Sequence, residues 1–128
     1  MSRTLGPLER EPTIIFCRTT QCFETFGRRR SASEAFGDKA VLISPRGWTS
    51  YYLEHELIHI AQYQRLGLLR VWRAPRWLME GMAYSMSGDP RRPLPGELEL
   101  WRAQFERWYG GEQGDAMWTR VRQALDGG

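Results

Sequence analysis

Apolar residues recur three and four apart between Ser50 and Leu66, where Leu53, Leu57, Ile60 and Ala61 make one stripe of a helix. Thr49 or Ser50 can cap its start, and Gly67 suits its stop. Pro75 fits the first turn of a second helix covering Trp77 to Met86, and the Pro- and Gly-rich run Gly88–Gly96 must break it. Two more helices are predicted over about 97–109 and 115–125, separated by Gly110-Gly111. Ahead of these, Thr13–Cys17 and Lys39–Ser44 are short β-rich runs, the second stopped by Pro45 and the turn residues Arg46-Gly47. Between them, Thr19 or Thr20 can cap a short helix carrying Phe23 and Phe26 and closed by Gly27. The stretch 28–38 reads as a loop or loosely helical link, and 68–74 as a connection. The chain is thus expected to form one domain, 1–128, with an irregular arm (1–12), a core (39–87) and C-terminal helices (97–125).

At 128 residues, with 41% hydrophobic and 12% aromatic positions, the chain is long and apolar enough to bury a core. No apolar run would span a bilayer, and the first ten residues lack the hydrophobic stretch of a signal peptide, so a cytoplasmic protein without a membrane partner is expected. The net charge of +3 is carried almost wholly by arginine, Lys39 being the only lysine. Arg28-Arg29-Arg30 is the one dense basic cluster. With no stacking-aromatic pattern or nucleic-acid fold signature beside it, it reads as a solvated loop, and nucleic acid is not an expected partner. Cys17 and Cys22 read as buried small hydrophobes in a reducing compartment, a bridge between them being expected only in an exported protein. No further cysteine or histidine is left to complete a second metal site around them.

The sharpest chemistry lies on the first long helix. His55-Glu56-Leu57-Ile58-His59 holds both histidines of the chain. Residues i and i+4 share a helix face roughly 6 Å apart, so both rings can turn toward one ion. Glu56 sits about 100° around the helix from His55, within reach of a metal-bound water but poorly placed to replace a ligand. Catalytic zinc needs a third protein ligand and an open fourth position. Glu80 is the leading candidate, since it lies between Trp77, Leu78 and Ala83, and the small Gly81 and Ala83 would let its helix approach the histidine helix closely. The alternative is a helix-surface pair between Glu80 and Arg76, one turn back. Asp89, Glu97 and Glu99 are the fallback ligands.

His55-Glu56-Leu-Ile-His59 followed by Trp77-Leu-Met-Glu80-Gly-Met-Ala83 resembles the gluzincin zinc metallopeptidases, and the short chain is similar to their minimal members, the minigluzincins. The resemblance covers roughly residues 39–87. It implies an α+β, zincin-like fold: a small twisted sheet on an active-site helix and a glutamate helix, followed here by two C-terminal helices. It further implies one Zn2+ per chain held by His55, His59 and Glu80, with Glu56 as general base and an extended peptide or protein as substrate, bound along an edge strand. Lys39–Ser44 would be that edge; a place in the middle of the sheet is the alternative. Tyr84, one turn beyond Glu80, is the first candidate for stabilising the oxyanion, and Tyr63, one turn beyond His59, the second. The function so implied is peptide-bond hydrolysis, with latency if the helices after Gly96 cover the cleft. The competing readings are a catalytically silent zinc-binding interaction module and a basic nucleic-acid binder. Oligomeric state is left open.

Overall fold

The fold is α+β. The computed structural model describes residues 5–19, 21–22, 33–36, 39–43 and 50–127, with backbone alone for 33–36 and residue 50. The elements are β1 (Thr13–Phe16), β2 (Ser33–Phe36), β3 (Ala40–Ile43), α1 (Ser50–Leu66), α2 (Leu68–Arg73), α3 (Arg76–Met86), α4 (Glu97–Trp108) and α5 (Asp115–Gly127). The anticipated short helix after Thr19 is described only at its start, where the Thr19 hydroxyl accepts the Cys22 N–H at 3.1 Å. Phe23, Phe26, Gly27, Arg28-Arg29-Arg30, Ser44 to Thr49 and the first four residues of the arm lie outside the described residues.

The strands form one sheet in the order β1-β3-β2, with β1 parallel and β2 antiparallel to β3. β3 is therefore the central strand, not the edge first expected of Lys39–Ser44. The physical reason is its consecutive apolar run: Val41, Leu42 and Ile43 are all 0% exposed, which requires cover on both faces. Val41 and Ile43 meet Leu53, Leu57 and Ile60 of α1, whereas Leu42 points the other way, to Ile15, Cys17 and Cys22. β2, read from sequence as loop or loose helix, has little intrinsic strand signal in Ser-Glu-Ala-Phe. Its pairing with β3, Phe36 opposite Ala40 and Ser33 opposite Ile43, is imposed by tertiary context.

Cys17 and Cys22 are joined by a disulfide, which corrects the expectation of free thiols. The Thr19–Cys22 turn brings their Cα atoms to 5.5 Å, inside the range a bridge needs.

α1 begins and ends where its sequence signals place it, with Gly67 at φ 84°, a left-handed conformation that favours glycine. Its apolar residues serve two cores rather than one. Leu53, Leu57 and Ile60 face the sheet, whereas Ile58, Ala61 and Leu66 join Leu78, Met82, Phe105 and Trp118 in the helical core. The connection foreseen at 68–74 is mostly helix, α2. Gly81 also differs from expectation. A Cβ there would lie 2.4 Å from the Trp101 carbonyl oxygen and 2.8 Å from Phe105 Cβ, so the missing side chain admits α4, not the histidine helix. One residue from Glu80 on a helix is a turn of about 100°, enough to send the two to different neighbours.

The arm is irregular but tied down. Trp118 Nε1 donates to the Leu5 carbonyl at 2.8 Å, Arg65 to the Pro7 carbonyl at 2.7 Å, and Gln64 to that of Arg10 at 2.8 Å. α5 is fastened to the far end of α1 through Arg65–Asp115 and to α2 through Arg70–Asp126, both at 2.9 Å.

Candidate metal centre

α1 presents His55 and His59 on one face, and α3 crosses it with Glu80 aimed between the two rings. The His59 and His55 Nε2 atoms are 3.1 Å apart; Glu80 Oε2 is 3.3 Å from His55 Nε2, and Oε1 is 3.3 Å from His59 Nε2. These side chains are 12%, 16% and 30% exposed for His55, His59 and Glu80, so water compensates them only in part. Glu80 thus turns to the histidines and not to Arg76, whose guanidinium lies over the Trp101 ring at 6.0 Å. Among the described residues, His55, His59 and Glu80 are the group able to hold a metal ion. The fallback ligands are engaged elsewhere or exposed. Asp89 is taken by Arg91 at 2.6 Å, Glu99 by Arg102, and Glu97 is exposed at the start of α4.

A buried residue that sequence reading passed over fixes the ring of His59. Gln62, 0% exposed and one turn further along α1, donates through Nε2 to the Met79 carbonyl at 2.9 Å, and its Oε1 lies 2.8 Å from His59 Nδ1. That oxygen can only accept, so His59 must donate from Nδ1. In the neutral ring Nε2 is then a bare lone pair, directed at another ring nitrogen and a carboxylate oxygen. A proton or a metal ion placed among these atoms satisfies that lone pair and the carboxylate together. A proton is one solution. Burial pushes the His59 imidazole down, but the hydrogen bond and charge of Glu80, with the charge of Glu56 and the Gln62 contact, bring it up to about 9. Burial likewise raises the Glu80 carboxyl, and the hydrogen bonds from His55 and His59 outweigh it, holding the group well below its usual range.

A divalent ion is the other solution, and the spacing suits it. Donor atoms 2.0–2.1 Å from a tetrahedral ion lie roughly 3.3 Å apart; the three separations here are 3.1, 3.3 and 3.3 Å.

The centre opens into a cleft of about 590 Å³. Glu56, only 7% exposed, and both tyrosines anticipated from spacing, Tyr84 and Tyr63, line it. The Tyr84 ring stands edge-on to His55 with centroids 4.4 Å apart. Burial first, then the charge of Glu80, pushes its hydroxyl up to about 12, so it remains a donor at physiological pH. Leu98 and Trp101 of α4 form part of the wall, and among the described residues α5 contributes nothing to it. α4 therefore flanks the cleft.

The cleft is also lined by residues that no periodicity signalled. Arg91 grips Asp89 through Nε and Nη2 at 3.0 and 2.6 Å and lies over the rings of Tyr51 and Tyr52 at 5.7 and 5.6 Å. Arg102, 0% exposed, anchors this loop by donating to the Arg91 carbonyl at 2.8 Å and pairing with Glu99. Compared with family models, curated proteins and solved structures, the chain matches none of them.

Proposed function

We propose that this protein is a zinc-dependent peptidase of the gluzincin type, with His55, His59 and Glu80 as the metal ligands. The observation that carries this reading is the convergence of two imidazole nitrogens and a carboxylate at tetrahedral-edge spacing, with His59 held in the tautomer that turns its lone pair inward. Two nitrogens and an oxygen, with the cleft on the remaining side, suit zinc among common divalent ions. Bound there, the ion would polarise a carbonyl and make water nucleophilic near neutral pH.

The chain's own groups supply the rest. Glu56, adjacent to His55 and lining the cleft, accepts the proton of the attacking water and returns it to the leaving amine. Tyr84, protonated at working pH, donates to the oxyanion as the carbonyl carbon becomes tetrahedral. Among the described strands β2 is an edge beside α1, so an extended peptide adding to the sheet there would lie next to the helix that carries the histidines. The Cys17–Cys22 bridge favours an oxidising compartment over the cytoplasm expected from the sequence.

The test is cleavage of an unstructured protein by the zinc-loaded chain, abolished by chelation and restored by zinc. Glu56→Ala should retain stoichiometric zinc and lose cleavage. Stoichiometric zinc with no cleavage by the unaltered chain would instead leave a zinc-binding interaction module.

A further inference from the structure

α2 is built inside out. A helix on a domain surface normally turns its apolar residues inward, yet Leu68, Leu69 and Trp72 are 71%, 63% and 79% exposed, and none of the six residues is buried. At 100° per residue these three occupy one outward arc, while Val71 and Arg70 face the protein. Val71 packs on the helical core, and Arg70 is held by Asp126 and by the Leu66 carbonyl. The apolar arc is bordered by Arg73 and Arg76, both exposed. Asp126, the carboxylate at this corner, is taken by Arg70 through three hydrogen bonds of 2.9 to 3.2 Å, so the border keeps a positive excess.

We infer that α2 is a membrane-docking element: Leu68, Leu69 and Trp72 insert at the headgroup boundary of an anionic bilayer while Arg73 and Arg76 meet lipid phosphates. Trp and Leu beside Arg on a protruding turn match the two needs of such an interface, apolar depth and cationic contact. The absence of a spanning helix among the described residues does not bear on this, because lying on a bilayer requires no span. A second copy of the chain fits less well. Three side chains fall far short of the roughly 800 Å² per partner of a stable dimer. Trp72 and Arg76 also line the cleft, so docking would bring the mouth of the metal centre to the lipid surface. The inference itself stands without the metal.

Cosedimentation with extruded vesicles tests it, comparing pure phosphatidylcholine with an equimolar mixture of phosphatidylcholine and phosphatidylglycerol. The full chain should pellet with the anionic vesicles, weaken as salt rises, and remain in solution with the zwitterionic ones; chelation should change nothing. Leu68→Ser/Leu69→Ser should weaken binding at least tenfold, and Arg73→Glu by roughly fivefold or more, with zinc content and circular dichroism unaltered. Unaltered chain left in the supernatant with anionic vesicles would overturn the inference. So would a double serine variant that pellets as well as the unaltered chain, or a dimer in sedimentation velocity that the serine pair abolishes.

Discussion

Replacing Gln62 by leucine isolates the contribution of the residue that aims His59. Leucine keeps most of the volume at this 0% exposed site but removes the acceptor 2.8 Å from His59 Nδ1 and the donor 2.9 Å from the Met79 carbonyl. Each buried polar group so orphaned costs about 1–3 kcal/mol, so the metal-free fold should lose on the order of 2–6 kcal/mol. Zinc binding should suffer separately. With Nδ1 released, the ring can rotate or take the other tautomer, and losing such an outer contact weakens metal affinity about 10- to 100-fold, equivalent to about 1.4–2.8 kcal/mol. Gln62→Glu separates the two effects, because a carboxylate still accepts from His59 but presents an acceptor to the Met79 carbonyl. It should keep zinc affinity within about threefold of the parent while lowering the Tm of the metal-free protein. Competition titrations against a chromophoric chelator at pH 7.5, with thermal melts of the metal-free variants, read both quantities. A Gln62→Leu variant that binds zinc as tightly as the parent would refute the tautomer argument.

Other consequences can be checked independently. In the metal-free protein His59 is raised from 6.5 to about 9, so its contribution to stability is complete below pH 6.5 and disappears as pH climbs through 9. Glu80 is lowered from 4.5, so its contribution is present above pH 4.5 and is lost only as pH falls through its depressed value. Together they favour the metal-free fold most between these limits, which chemical denaturation across pH 4 to 10 would show. Zinc uptake at pH 7 should then expel about one proton, seen by calorimetry in buffers of different ionisation enthalpy; uptake without proton release contradicts it. Gly81→Ala forces its Cβ against α4 at 2.4 Å from the Trp101 oxygen, and urea denaturation should record a loss of about 2–4 kcal/mol. Tyr84→Phe should lower kcat about 100-fold with little change in zinc affinity, since the hydroxyl serves the oxyanion and no ligand. An unchanged kcat would remove Tyr84 from the mechanism.

What could be read directly from sequence was whatever helix geometry alone determines. The i, i+4 spacing of His55 and His59 brought their Nε2 atoms to 3.1 Å, and Glu80, a carboxylate set among apolar positions, turned toward them. Gln62 was accessible by the same rule, being three residues beyond His59 and beside the buried Ile60 and Ala61, but a glutamine on a helix carries no spacing signature of its own. The double service of α1 to sheet and helices was hidden because one stripe of leucines and isoleucines looks the same whether it meets one core or two. β2 and the central place of β3 depend on pairing between segments distant in sequence, for which Ser-Glu-Ala-Phe offers no local preference. Arg91 is positioned by a loop that Arg102 and Glu99 clamp from another helix, a contact no periodicity encodes. The disulfide was misjudged because compartment, not spacing, governed that expectation.

Peptide hydrolysis at this centre requires one zinc ion among His55, His59 and Glu80. Zinc-edge anomalous diffraction from crystals of the zinc-loaded chain addresses it most directly. A single full-occupancy peak is expected about 2.0–2.2 Å from the two imidazole Nε2 atoms and a Glu80 oxygen, with the fourth position open to the cleft. A peak elsewhere, or none at this centre while the three side chains keep their present arrangement, would contradict it.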